Sequence, residues 1–196
     1  MPISGEINDT SEADKMFGLL DAVSMSSKTG NPVLIRNALT EIRGFPEKTA
    51  LITAMRDFYE MVLCCKIFTL DETINTLRKV IEDLLNNTSI GAASIDLLIF
   101  RDVLIQVVRS KMQFVFAERY TENLVLWCLD NGYIQQAVTI LHEKLLKVGA
   151  LPDVQKKHRE KIWYIRNNMN HANGEDIKDS VDNISTLIRT HILKSL

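Results

Sequence analysis

ENLVLWCLDNGYIQQAVTILHEKL, residues Glu122 to Leu145, sets two apolar stretches at helical spacing on either side of an Asp-Asn-Gly break. Its first half reads as a helix over Thr121 to Asp130, closed at Asn131 and Gly132, where a residue without a side chain suits the left-handed turn that ends a helix. A second helix follows at once, with Ile134, Ala137, Val138, Leu141, Leu145 and Val148 inward until Gly149. Helices joined so tightly pack as a hairpin or a sharp corner.

The same periodicity spreads in both directions. Apolar residues recur at three- and four-residue steps almost everywhere, and no stretch sustains period-two alternation between hairpin signals, so the chain reads as all-α. Upstream, a first helix runs from about Ser11 through Met16, Leu19, Leu20 and Val23 and stops near Gly30 to Pro32. A second spans Val33 to Arg43 before Gly44. The third buries Leu51, Ala54, Phe58, Met61, Val62 and Cys65, and Thr69 with Glu72 predicts a capping box for a fourth with Ile74, Leu77, Ile81 and Leu84 inward. Asn86 to Gly91 reads as a turn. Ile95 to Phe116 is long and apolar on more than one face, the pattern of a central spine. Downstream of Pro152 one helix carries Tyr164 to Asn173, and a closing helix sets Ile177, Val181, Ile184, Ile188 and Ile192 inward. The expected architecture is a helical bundle of about eight to nine helices. Residues 1–11 are expected to be disordered, 12–44 to form a helical extension, and 45–196 to form the main domain.

Composition narrows the function classes. With 196 residues, 46% of them hydrophobic and 24% charged, the chain can bury a real core. The net charge of -2 gives no global attraction for nucleic acid or membranes, so an anion-binding surface has to be a local patch. Cys64, Cys65 and Cys128 sit among apolar residues without C-x-x-C spacing, which predicts reduced thiols in a core and a cytoplasmic home. The polar, acidic start has no apolar signal core, and no run approaches the roughly 18 apolar residues of a spanning helix, so neither export nor a membrane is expected. There is no H-E-x-x-H, C-x-x-C pair, tight His/carboxylate cluster or Gly-rich phosphate loop. No metal and no cofactor is expected.

The chemistry lies in YIRNNMNHAN, residues Tyr164 to Asn173, where Arg166 precedes His171 by five positions. An imidazole that moves a proton near neutral pH, beside a guanidinium that keeps its charge and matches phosphate oxygens, is the minimum equipment for cleaving RNA without a metal. On a regular helix each residue advances about 100°, which puts Arg166 and His171 about 140° apart, whereas Asn167 lies one turn before His171 on the same face. Asn167 is thus placed to orient the imidazole. Lys156, Lys157, Arg159 and Lys161 lie just upstream with Trp163 and Tyr164 beside them, a pattern that holds a single-stranded backbone and stacks its bases. The plainer alternative is a solvated helix face with Ile162 and Trp163 turned into the core. His142, His158 and His191 read as surface or boundary positions with structural roles.

Two blocks together, Glu122 to Leu145 and Tyr164 to Asn173, resemble the C-terminal HEPN ribonuclease domain of the ancillary nucleases of type III CRISPR systems. In that family a helix of Q-Q-A-x-T-[IL] character precedes one bearing R-N-x-x-x-H-A; the likeness covers roughly residues 45 to 196 and is architectural outside the two blocks. The resemblance implies that Arg166 and His171 are the catalytic pair and Asn167 the polar residue beside them. It further implies a homodimer whose two motifs form one composite site that cuts single-stranded RNA without metal. Those nucleases usually carry a Rossmann-like sensor for a cyclic oligoadenylate, and its D-x-T-H-G segment and strand-rich sequence are missing here. The expectation is therefore a HEPN-like bundle without a β-rich sensor domain, an endoribonuclease of CRISPR-linked antiviral defence, with room for a separate sensor or antitoxin chain as partner. The alternatives are a non-catalytic helical dimer that binds RNA or protein, and a HEPN toxin of a toxin-antitoxin pair.

Overall fold

The computed structural model describes residues 9–40, 47–86, 95–170 and 181–194. Among the described residues the chain is all helical, with nine α-helices, short 3₁₀ and π-helical pieces, and no strand. No helix among them is long and apolar enough to cross a membrane. The chain divides into two compact units, Met1–Tyr59 with Thr73–Lys111, and Glu60–Glu72 with Met112–Leu196. Neither cut falls at the expected boundary between residues 44 and 45.

The first unit holds α1 (Asp9–Thr29), α2 (Val33–Thr40), most of α3 (Lys48–Leu63) and of α4 (Leu70–Asn86), and α5 (Ile95–Lys111). α1 starts inside the arm expected to be disordered, the rest of which lies outside the described residues. α1 packs against α2 and α5. The corner between α1 and α2 follows from its residues: the Asn31 side chain accepts the Val33 N–H at 3.0 Å, and buried Ser26 accepts the Ile35 N–H at 3.3 Å. Gly44 and Pro46, read as the end of one helix and the start of the next, lie outside the described residues, as does most of the turn read over Asn86 to Gly91. Leu51, Ala54, Met55 and Phe58 on α3, and Ile74, Leu77, Ile81 and Leu84 on α4, bury the stripes that their spacing predicts. The spine expected over Ile95 to Phe116 is shorter and, over its described side chains, one-sided. Leu104, Ile105 and Val108 are buried while Asp102, Gln106 and Arg109 are exposed. The helix stops at Lys111 because Met112 leaves helical geometry, with φ -121° and ψ 50°, and a 3₁₀ turn follows at Gln113–Val115.

The second unit holds α6 (Tyr120–Asp130), α7 (Ile134–Ile140), α8 (Lys156–Asn170) and α9 (Val181–Leu187). Both α7 and α9 run on into π-helical turns, at Leu141–Leu146 and Ile188–Ile192. The hairpin read from the Asp-Asn-Gly break is present, and α6 packs on α7. It closes through a Schellman motif: Gly132 at φ 78° donates to the Leu129 carbonyl and Tyr133 to that of Cys128. The pair recurs at the other end, where Gly149 at φ 74° donates to Leu146 and Ala150 to Leu145. Trp127 lies stacked on Tyr133 and edge-on to Phe114, with ring centroids 5.7 Å and 5.5 Å away. Leu124, Val125, Val138, Leu141 and Ile162 are sealed from solvent in the same unit, each contributing about 1.5–3 kcal/mol of apolar burial.

Three local expectations change. Val148 is 66% exposed, because the wider π turn shifts the register before that residue is reached. Val181, expected inward, is exposed at the first position of α9, and Ile177 lies outside the described residues. In place of a capping box, the Thr69 hydroxyl donates to the Lys66 carbonyl at 3.0 Å within a 3₁₀ turn, Ile67–Thr69.

Candidate functional site

α8 lies against α7 and its π-helical continuation, and this contact assembles the polar cluster that contains Arg166. Over Leu141–Leu146 the backbone widens, with the Lys147 N–H reaching the His142 carbonyl at 2.9 Å. Turns of this kind recur beside functional residues. Here the turn carries His142 and Glu143. One carboxylate oxygen of Glu143 accepts from Arg166 Nη2 at 3.0 Å and lies 3.2 Å from His142 Nδ1. The other accepts from Lys147 Nζ at 3.0 Å. A carboxylate only accepts, so Nδ1 of His142 carries the proton in this pair. Burial acts to raise the Glu143 carboxyl, but the hydrogen bonds and charges of Lys147 and His142 outweigh it and hold the group below the ordinary carboxylate range. Glu143 is therefore an anion at neutral pH.

Arg166 reaches this anion because Ile162 and Ile165, both buried, pin one face of α8 and leave residue 166 at the border between core and solvent. Its side chain is 28% exposed. Nη1 donates to the Asn167 carboxamide oxygen at 3.0 Å, and Nε is buried without a hydrogen-bond partner. Two of the five N–H donors of the guanidinium are thus committed, one on each terminal nitrogen. Asn167 is close to Arg166 as its position predicts, yet in this geometry it orients the guanidinium. Its expected effect on His171 lies outside the described residues, because α8 is described only as far as Asn170.

The basic segment divides by role. Lys156 is 89% exposed, 3.6 Å from Glu160, and Lys157 and Lys161 are exposed too. Arg159 departs from the expected RNA-binding role. It donates to the carbonyls of Val154 at 2.9 Å and Leu146 at 3.1 Å, and to that of Leu151, so its guanidinium ties down the loop between α7 and α8. Ile162 turns into the core, whereas Trp163 and Tyr164 are 54% and 49% exposed, against the alternative that placed the indole inside. His158 and His191 lie with ring centroids 4.9 Å apart. Burial, then the charges of Lys157, His191, Lys161 and Lys194, hold His158 below its ordinary value.

A cleft of about 240 Å³ opens beside the cluster, lined by His142, Leu146, Lys147, Arg159, Glu160 and Trp163. Among the described residues no group of three or more His, Cys, Asp or Glu could hold a metal ion. The cysteines are unpaired, but Cys64 is exposed and Cys65 half-buried, so only Cys128 sits in the core as expected. Burial pushes the thiols of Cys128 and Cys65 up, which makes both poor nucleophiles.

Glu143 and His142 are the members that the sequence does not announce. The Glu143–Lys147 pair is legible as an i,i+4 spacing, whereas the Arg166 contact spans two helices and depends on how α8 lies against the π turn. No family model, curated protein or solved structure matches this chain.

Proposed function

We propose that the protein is a metal-independent endoribonuclease that cleaves single-stranded RNA through Arg166 and His171, with the two motifs of a homodimer facing one scissile phosphodiester. His171 exchanges a proton with the ribose 2′-hydroxyl or the leaving 5′-oxygen, and Arg166 stabilises the charge that builds on the phosphorane. The products are a 2′,3′-cyclic phosphate and a 5′-hydroxyl. Attack on phosphorus calls for a base and departure of the 5′-oxygen for an acid, and one chain supplies one motif histidine, so a two-fold pair supplies both. By the same resemblance the enzyme works in the cytoplasm in CRISPR-linked antiviral defence.

The observation that carries this reading is the way Arg166 is held. Glu143 takes one terminal nitrogen and Asn167 the other, which fixes the plane of the guanidinium while leaving a second N–H on each for phosphate oxygens. A donor fixed before substrate arrives needs no reorganisation in the transition state. Exposed Lys156, Lys157 and Lys161 earlier on α8 supply local positive charge that the net charge of the chain does not.

The same ion pair favours a second reading. A half-buried guanidinium neutralised by a carboxylate also serves as a structural tie, and the chain is then a non-catalytic helical dimer that binds RNA. Incubation of labelled single-stranded RNA with the wild type, Arg166→Ala and His171→Ala in EDTA separates the two. The nuclease reading expects cleavage by the wild type and a loss of about 100-fold or more in each variant. Cleavage retained by both variants removes these residues from the mechanism, and RNA that shifts in a gel yet stays intact at high protein concentration establishes the second reading.

A further inference from the structure

We infer that the cleft between the π turn and α8 is a nucleobase subsite in which Trp163 stacks on a base of the single-stranded RNA held at Arg166. The inference rests on the ribonuclease reading for its ligand and deepens it. Trp163 stands three residues before Arg166 and four before Asn167 on a regular helix, so the three side chains share one face within about a turn. His142 lines the cleft and is bonded to Glu143, the carboxylate that holds Arg166, which makes the cleft and the guanidinium neighbours on one wall. A phosphate on Arg166 therefore has its adjacent base within reach of the indole.

Size and chemistry select the occupant. At about 240 Å³ the cleft falls below the roughly 300–1,000 Å³ of sites for whole drug-sized ligands, and it suits a single flat ring system. Leu146, the Trp163 indole and the apolar parts of the other lining side chains give the cleft an almost wholly apolar surface, which suits the face of a base. Arg159, tied to three carbonyls, is a fixed part of the lining. The indole is left 54% exposed on a helix whose neighbouring isoleucines are buried, so it is available to a ligand, and base–aromatic stacking tolerates any sequence because every base has a π face. Carboxylates are present as well: Glu143 faces Arg166, and Glu160 lies 3.6 Å from Lys156, so part of the positive charge on this face is neutralised and stacking supplies part of the hold on RNA.

The test uses the full chain and a dye-labelled 2′-deoxy oligonucleotide, which binds but lacks the hydroxyl that attacks, with tryptophan fluorescence reading the stacking in the wild type and anisotropy of the dye reading the affinity of the wild type and of each variant. Trp127 is buried, so the signal that responds to a ligand belongs to Trp163. Quenching in the wild type, about tenfold weaker binding by Trp163→Ala, and near-normal binding by Trp163→Phe are expected, tenfold corresponding to about 1.4 kcal/mol. An unquenched indole, or Trp163→Ala binding as tightly as the wild type, overturns the subsite. Because the readout is binding of an uncleavable strand, that failure is distinct from failure of the nuclease reading: RNA cleavage by the wild type with unaltered Trp163→Ala sinks the subsite alone, and quenching without cleavage of RNA sinks the nuclease alone.

Discussion

Glu143 faces three cationic or proton-donating partners from two helices, and its charge state sets the geometry of Arg166. Glu143→Gln keeps the shape and removes the charge. With both side chains less than a third exposed, the loss of the Arg166 pair is expected to cost about 1–3 kcal/mol, read as a fall in Tm of a few degrees, together with a cleavage defect that Arg166→Lys does not repair. A thermal melt and a cleavage assay on the same preparations check it. The pH dependence follows from the sign of the shifts. Glu143 is held low by Lys147 and His142 against its burial, and Asp71 by hydrogen bonds from Lys144 and Tyr120. A carboxyl whose folded pKa lies below its unfolded one contributes stability that is fully present above about pH 4.3 and is lost as pH falls through the folded value. Tm is therefore expected to ease down below about pH 6.5, where His158 with its lowered folded value takes up a proton more readily in the unfolded chain, and to drop further below about 4 as the carboxyls protonate, with a shallower acid drop in Glu143→Gln. At this scale the sequence is informative only along one helix. Arg166 and Asn167 are legible as neighbours, but their carboxylate partner lies on another element, and Arg159 looks like any basic residue until its carbonyl partners are in place.

Helix ends are the most legible elements because glycine announces them by physics. At Gly132 and Gly149 an added methyl group would meet no atom within 4 Å, so the cost of alanine there is the left-handed backbone alone. Gly132→Ala and Gly149→Ala are each expected to lose about 1 kcal/mol, or about 2–4 °C in Tm, and a calorimetric loss near zero would show that these turns do not need φ above zero. What periodicity misses is the wider turn. A π turn inserts its extra residue without a compositional signature, so the inward face extrapolated through Leu145 overshoots at Val148, and nothing in HEKL signals that His142 and Glu143 face α8. The all-helical class is legible throughout because the three- and four-residue stripe of every strongly amphipathic segment finds a buried face.

Compact units, by contrast, cannot be read from order along the chain. Glu60–Glu72 joins residues 112 onward through pairs such as Lys144 with Asp71 at 2.8 Å, and no local pattern marks that long-range choice. The roles proposed for Arg166 and His171 rest equally on two short blocks, and the homodimer that the resemblance implies would set the motif against its own copy in a second chain, an arrangement that no pattern along one chain marks. The most direct measurement mixes wild-type and His171→Ala subunits, lets them exchange, and follows RNA cleavage in EDTA against the wild-type fraction. A site that needs both subunits predicts that activity falls as the square of that fraction and vanishes in the pure variant. A linear fall, or cleavage by the pure variant, contradicts a catalytic centre shared between two chains.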